Sequence, residues 1–300
     1  MFGVPPMRRM SVVESKRRGS GRNNGSIIST FLALCALAVT LMVLAPACSK
    51  GNKETQNRNN SGVVITLENA DSVQLLETLY DHSDKIWTVA FSPNGKLLAS
   101  CGQDGKVLVR SVDSLAAAGQ MGDFPYWVIG LTFSPDGRYI AYGGAQGFSG
   151  PVGPIGIWNV EADSLERVLD GHKGGCWSLD YQESSGILVS GSFDGTVKMW
   201  NPQTGALLQT LIGHTAPVLS VDFNPHQDLI ASSGIDYTVR LWDSQAGNPV
   251  SVLRGHSGNI GYVKFSPDGL KVASSADDGT VKLWNIADSS LIWSCDAGQG

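Results

Sequence analysis

The sequence predicts an all-β protein, made of about five four-stranded units of one repeated design behind an N-terminal hydrophobic segment. Three observations lead there. Tryptophan, histidine and aspartate positions recur every 42 residues. Within each repeat, apolar residues alternate with a period of two, the signature of half-buried strands. Glycine supplies 36 of 300 residues, well above the usual share of about 7% and without collagen spacing, which calls for many tight turns. Hydrophobic residues at 42% and charged residues at 16% provide a sizeable core and exclude a disordered chain.

Taken from the N-terminus, residues 1–47 carry a net charge of +5 and residues 48–300 carry −10. An acidic body repels phosphate backbones, so no nucleic acid is expected as a partner. Arg8, Arg9, Lys16, Arg17, Arg18 and Arg22 precede an uncharged stretch, 23–49, whose apolar run from Phe31 to Leu44 ends in Ala45-Pro46-Ala47-Cys48. A basic start, an apolar middle and a small-x-small site describe a secretory signal peptide. The stretch also reaches the roughly 20 residues that an uncleaved membrane anchor needs. The segment resembles a bacterial lipoprotein signal, which implies lipidation at Cys48. It departs from that pattern at Ala45, where Leu is usual. Lipoprotein is the preferred reading, with an ordinary cleaved signal and a retained transmembrane anchor left open. All three place the body outside the cytoplasm, tethered or secreted, because the positive charges stay inside. Ser49 is compatible with outer-membrane sorting in a cell with two membranes. Residues 48–62 are polar and aperiodic and read as a flexible tether.

The body, 63–300, divides into units at about 74–112, 113–160, 161–202, 203–244 and 245–286, with a terminal strand at 290–296. Six extra residues fall in the second unit, in the Gly/Pro-rich loop GGAQGFSGPVGP, where added length is cheap. The unit from residue 213 reads GH, VLSVDF, a turn, LIASSG, a turn and VRLWD, and a fourth strand such as ALLQTL at 206–211 leads into the next GH. Four short antiparallel strands per 42 residues describe one blade of a radial β-propeller. Gly-His at 171–172, 213–214 and 255–256, with endings Trp158-Asn159, Trp200-Asn201, Trp242-Asp243 and Trp284-Asn285, make the body similar to the WD40 repeat over about residues 70–300.

The resemblance implies a buried polar quartet in each regular unit: His172, Ser190, Asp194 and Trp200; His214, Ser232, Asp236 and Trp242; His256, Ser274, Asp278 and Trp284. Asp accepts from the His ring, His bonds the Ser hydroxyl, and that hydroxyl bonds the indole N–H, so every polar group finds a partner. Such a set superficially looks like a hydrolase triad, but it occurs three times where a nucleophile is needed once. The first unit keeps His82, Ser100 and Asp104 but has Arg110 in place of Trp. The second has Phe124 for His and Tyr142 for Ser. Both blades are expected to be looser, with the long loop of the second folded over one face. Cys101, Cys176 and Cys295 lack metal-ligand spacing and read as small buried hydrophobes.

The blade count does not close. QLLETLYDH at 74–82 matches ALLQTLIGH at 206–214, so the body is expected to open with an outer strand, giving six outer strands for five inner triplets. Truncation of a seven-bladed ring is the favoured expectation, ahead of an open arc or a five-bladed closure.

The family resemblance also implies that partners bind the end carrying the loop before strand one and the loop between strands two and three. The first-strand bulge positions transfer to Trp87, Ile129, Trp177 and Leu219, with Gly261 as the fifth. Two residues earlier stand Lys85, Trp127 and Asn259, with Gly175 and Pro217. Just before the turn Asp stand Gln103, Phe193, Ile235 and Asp277. Aromatic residues gather around the third unit, as an interaction patch requires, although Trp87 and Trp177 could equally pack inward. No HExxH, GxSxG, GxxxxGKS or Cys/His cluster is present, so no catalytic residue, metal or cofactor is assigned. The expected function is a non-catalytic, membrane-tethered scaffold for an unknown protein or peptide. The alternative is an enzyme or small-molecule sensor using the central channel.

Overall fold

The computed structural model describes residues 77–146 and 152–296, and every regular element among them is a β-strand. The first sheet runs β1 (Ile86–Phe91), β2 (Leu97–Gly102), β3 (Val107–Ser111) and β4 (Ala117–Met121). The second has β5 (Trp127–Phe133), β6 (Tyr139–Ala145), β7 (Val152–Asn159) and β8 (Ser164–Leu169). The third has β9 (Cys176–Tyr181), β10 (Leu188–Ser192), β11 (Thr196–Asn201) and β12 (Ala206–Ile212). The fourth has β13 (Val218–Phe223), β14 (Leu229–Gly234), β15 (Thr238–Asp243) and β16 (Pro249–Arg254). The fifth has β17 (Ile260–Phe265), β18 (Lys271–Ala276), β19 (Thr280–Asn285) and β20 (Leu291–Asp296). Within each sheet, strands that are consecutive in the chain pair antiparallel.

Local chemistry sets the hairpins. In the SPNG and SPDG turns, Ser92 Oγ accepts from Leu97 N and Ser134 Oγ from Tyr139 N, each at 2.9 Å. Gly95 and Gly137 hold φ near +70°, a conformation open to glycine at no steric cost.

The sheets stack in chain order, β1 against β5, β5 against β9, β9 against β13 and β13 against β17. Each seam is one apolar cluster shared by two sheets. Ala99, Val107, Val109 and Met121 of the first meet Val128, Leu131, Phe133 and Ile140 of the second. The same positions recur at the next three seams, as in Ala231, Val239, Leu241 and Leu253 against Ile260, Val263, Phe265 and Val272. Each fully buried aliphatic or aromatic side chain adds ~1.5–3 kcal/mol, so these seams, and not the individual sheets, are the core.

Two sequence expectations need correction. The outer strand expected at 74–82 is absent from its described part, 77–82, which has no strand. Each sheet instead takes its fourth strand from the residues that follow its own inner three, so five outer strands, not six, stand among the described residues. Sequence units that start on an outer strand are thus one strand out of phase with the sheets. The short turn after each third strand returns the chain to the same sheet, whereas the Gly-His segment crosses to the next. The signal or anchor at 1–47 with Cys48, the tether at 48–62 and the loop residues 147–151 lie outside the described residues. Among the described residues no helix is long and apolar enough to cross a membrane.

Candidate functional site

The polar quartets have the same geometry in the last three blades. His172 Nδ1 lies 2.9 Å from Asp194 Oδ2, His172 Nε2 lies 2.7 Å from Ser190 Oγ, and Trp200 Nε1 donates to that Oγ at 2.8 Å. The corresponding distances are 2.9, 2.8 and 2.7 Å for His214, Ser232, Asp236 and Trp242. They are 2.9, 2.9 and 2.9 Å for His256, Ser274, Asp278 and Trp284. A carboxylate only accepts, so Nδ1 carries the ring proton and Nε2 accepts the Ser hydroxyl. This is the connectivity of a Ser/His/Asp triad. However, Ser190, Ser232 and Ser274 are 0% exposed and each is capped by an indole, so none presents its Oγ to a substrate. The aspartates also accept the backbone N–H that follows each His, from Lys173, Thr215 and Ser257, which closes the crossing loop.

Burial opposes ionisation of Asp194 and Asp236, but the hydrogen bonds from His172 and His214 outweigh it and hold both well below the usual carboxylate range. Against the same burial, bonds from Ser257 N, Thr280 and His256 hold Asp278 down to about 2. Burial lowers His256, with Asp278 pulling the other way. Both depressions act in one direction, because the unfolded chain takes up protons that the native state refuses. The His256 contribution begins to fade as pH falls through its ordinary value of 6.5. The Asp278 contribution is present above the ordinary carboxylate value of 3.8 and is lost as pH falls from there towards about 2. Urea midpoints measured at stepped pH should therefore decline below neutrality and drop steeply in the carboxylate range. A midpoint that stays constant down to acid would contradict this.

The two irregular units depart from the regular quartet in different ways. In the first, His82 Nδ1 lies 3.0 Å from Asp104 and Nε2 lies 2.9 Å from Ser100 Oγ, so the network survives without its Trp. Arg110 donates instead to Asp81 and to the Leu115 carbonyl. In the second, an aromatic cluster replaces the network. The Phe124 ring lies 4.9 Å from that of Tyr142 and 5.4 Å from that of Tyr126. Tyr142 is buried opposite Gly156, where a Cβ would come within 2.2 Å of its ring. That blade is therefore repacked and not loosened, because the glycine opens the volume that the phenol fills.

At the start of every first strand the ladder slips by one residue, at Trp87, Ile129, Trp177, Leu219 and Gly261. Backbone bonds join the two loops of this end: Gln103 N to the Lys85 carbonyl at 2.7 Å, and Phe193 N to Gly175, Ile235 N to Pro217 and Asp277 N to Asn259, each at 2.9 Å. The aromatic residues converge over the first three blades. Trp87 lies 6.1 Å from Trp127 and 6.3 Å from Trp177 between ring centroids, and Phe193 stacks on Trp177 at 5.9 Å. All four are half-buried, so they pack on one another and still reach the surface. Leu219, Ile235, Gln103, Lys85 and Asn259 are half-buried around them, and Asp277 is exposed and accepts from Asn259 Nδ2 at 2.9 Å. Ile129 does not belong to the presented ring. It is 4% exposed, and its carbonyl accepts from Thr88 Oγ1 at 2.6 Å, which draws its bulge into the seam with the first blade.

One set of functional-looking residues escaped the sequence reading. Asp180, Asp222 and Lys264 occupy one 42-residue register on the inner strands. Asp180 accepts from Phe223 N and Asp222 from Phe265 N, each at 2.7 Å, and Lys264 pairs with Asp222. Burial pushes both carboxyls up against the pull of Lys264. They tie adjacent inner strands across a seam, and the register alone could have revealed them. Asp222 and Lys264 also border a cavity of about 280 Å³ near the turns at Pro225 and Pro267, at the end opposite the tryptophans. Among the described residues no three His, Cys, Asp or Glu side chains gather as metal ligands would.

Comparison with known proteins agrees with this geometry. The family model described as WD40, "WD domain, G-beta repeat", matches residues 73–111, 163–201, 205–243 and 247–285. It passes over the second unit, where Phe124 and Tyr142 replace the polar pair. The chain is 30% identical over 142 residues to a guanine nucleotide-binding protein subunit beta of Zea mays, covering 44% of this chain and 36% of that protein. It is 30% identical over 100 residues to a periodic tryptophan protein 2 homolog of Schizosaccharomyces pombe, covering 33% and 11%. It is 30% identical over 120 residues to pre-mRNA-processing factor 19 homolog 2 of Arabidopsis thaliana, covering 39% and 22%. The chain thus spans well under half the length of these curated relatives.

Proposed function

This chain belongs to the WD40 repeat family, whose repeats fit a protein–protein interaction scaffold, and from that membership we propose a non-catalytic scaffold that captures a protein or peptide on the bulge end of its blades. The observation that carries the proposal is the aromatic patch of Trp87, Trp127, Trp177 and Phe193. Large, rigid, half-buried rings bury much area at little entropic cost, and Trp is the residue most enriched at binding hot spots. Leu219, Ile235 and the polar Asn259–Asp277 pair belong to the same end of the later blades and carry no aromatic ring.

The scaffold works, in this proposal, on the outer side of a bacterial membrane, held there by acylation of Cys48 or by an uncleaved anchor. The support is the basic start, the charge-free stretch 23–49 and the small residues before Cys48.

The test is crosslinking and capture from intact cells. Trp177→Ala with Phe193→Ala is expected to cut partner recovery at least tenfold while thermal unfolding shows the fold intact. Cys48→Ala is expected to move the protein out of the acylated membrane fraction, read by mass spectrometry of the N-terminal peptide. Unchanged capture by the double variant refutes the patch as the binding site, and an unacylated N-terminal peptide refutes the lipid tether.

A further inference from the structure

A cavity of about 270 Å³ opens between the second and third blades, at the end opposite the tryptophans. Described strands wall it on both sides: β6 to β8 of the second blade, and β9 with the turns at Glu183 and Pro202 of the third. Its volume suits one long side chain and falls short of the ~300–1,000 Å³ of a small-molecule or cofactor pocket. Tyr181 stands in its wall. Four other blades carry Phe91, Phe133, Phe223 and Phe265 at this position, so core packing asks only for the ring. Tyr181 is 7% exposed, and its hydroxyl makes no hydrogen bond among the described residues. Buried polar groups are nearly always paired, because an unpaired one costs free energy. Tyr139 lines the same space half-buried, again with an unpartnered hydroxyl. Charge gathers there as well. Asp136, Glu166 and Glu183 border the cavity with Arg167, three carboxylates against one guanidinium, a net of −2. The side chains of Glu166, Glu183 and Arg167 form no ion pair among the described residues, and Arg167 Nε is buried without a hydrogen-bond partner.

We propose that this cavity is a second docking site, which takes a lysine or arginine side chain of a partner protein. The positive head sits among the three carboxylates and beside the tyrosine rings, whose π faces attract cations. The Tyr181 hydroxyl oxygen accepts one of its N–H groups, and the alkyl stem packs on Ile157 and Pro202. Arg167 needs an acceptor, and the carbonyl of the partner's backbone supplies it. A free polyamine carries the same positive charge but no such acceptor, so the site selects a peptide. It lies at the other end of the blades from the aromatic patch and does not depend on that patch binding anything.

The probe is acetyl-Gly-Arg-Gly-amide, titrated at millimolar concentration into the full chain in mild detergent with its isoleucine methyl groups labelled for NMR. The Ile157 methyl signal is expected to shift saturably, while that of Ile235, at the tryptophan end, stays in place. Glu183→Lys reverses an exposed charge that pairs with nothing in the fold and is expected to weaken binding at least about tenfold. Tyr181→Phe restores the residue of the other blades, keeps the fold and is expected to weaken binding about threefold to tenfold, the worth of one hydrogen bond. Trp177→Ala with Phe193→Ala is expected to leave this binding unchanged, which separates the site from the aromatic patch. Acetyl-Gly-Glu-Gly-amide and spermidine are expected to give no saturable shift. An Ile157 signal that does not move overturns the proposal, and so does equal binding by the glutamate peptide or by spermidine. Glu183→Lys and Tyr181→Phe variants that both bind as the wild type does overturn it too.

Discussion

Replacing Trp242 with alanine is expected to cost ~3–5 kcal/mol of stability, the range for losing a buried large aromatic side chain. Trp242 is 0% exposed and packs in the seam between the third and fourth blades with Met199, Leu211 and Phe223. Two losses combine in this variant. The cavity removes contacts on both blades, and close-packed neighbours recover little of that volume. The Ser232 hydroxyl also loses the indole donor that reached it at 2.7 Å. Trp242→Phe separates the two losses, since it fills most of the space and makes no hydrogen bond. It is expected to cost about 1–2 kcal/mol, near the value of one buried hydrogen bond with a small void. Urea unfolding followed by circular dichroism reads both variants. If Trp242→Phe proves as damaging as Trp242→Ala, the quartet outweighs packing at this seam.

The second large effect is expected at Asp236. Its carboxylate accepts from His214 Nδ1 at 2.9 Å, from Thr238 Oγ1 at 2.8 Å, from Thr238 N at 3.1 Å and from Thr215 N at 3.2 Å. Removing it strands several donors in a mostly dry site, and each buried donor left unsatisfied costs ~1–3 kcal/mol. Asp236→Ala is therefore expected to lose about 3 kcal/mol or more. Asp236→Asn keeps an acceptor oxygen of the same shape and should lose about half as much. The Ala variant should also lose the part of the acid sensitivity that arises from Asp236, since the depressed carboxyl is gone. Urea midpoints at neutral pH and in the carboxylate range test both statements. An Ala variant as stable as the wild type would show that the aspartate is solvated and not structural.

The hydrogen bonds behind both predictions are short in sequence. His to Asp is 22 residues, His to Ser 18 and Ser to Trp 10, all inside one repeat. A pattern that recurs every 42 residues exposes these residue types and their separations, and the family resemblance supplied the pairing. Asp180, Asp222 and Lys264 are different. Their partners lie 42 or 43 residues away, across a seam, where a repeat meets its neighbour. The pattern carries their spacing but not the contact. The aromatic patch is intermediate. Its residues could be placed at one end from the sequence, but which rings touch and which residue sinks depends on how three blades converge. Ile129 sank and Trp127 did not.

By itself the amino-acid sequence determined the all-β repeat and the four-strand content of each unit, because strand alternation and turn chemistry are local; the polar quartets followed from the family that the recurring residues resemble. Only the tertiary structure decided where one blade ends and the next begins, since a period has no phase until hydrogen-bonded partners are chosen. It alone also separated Phe265, 3% exposed, from Phe91, 64% exposed, which stand at the same position of the repeat. Burial is a property of a residue together with its neighbour, and in the first blade no described neighbour covers that face.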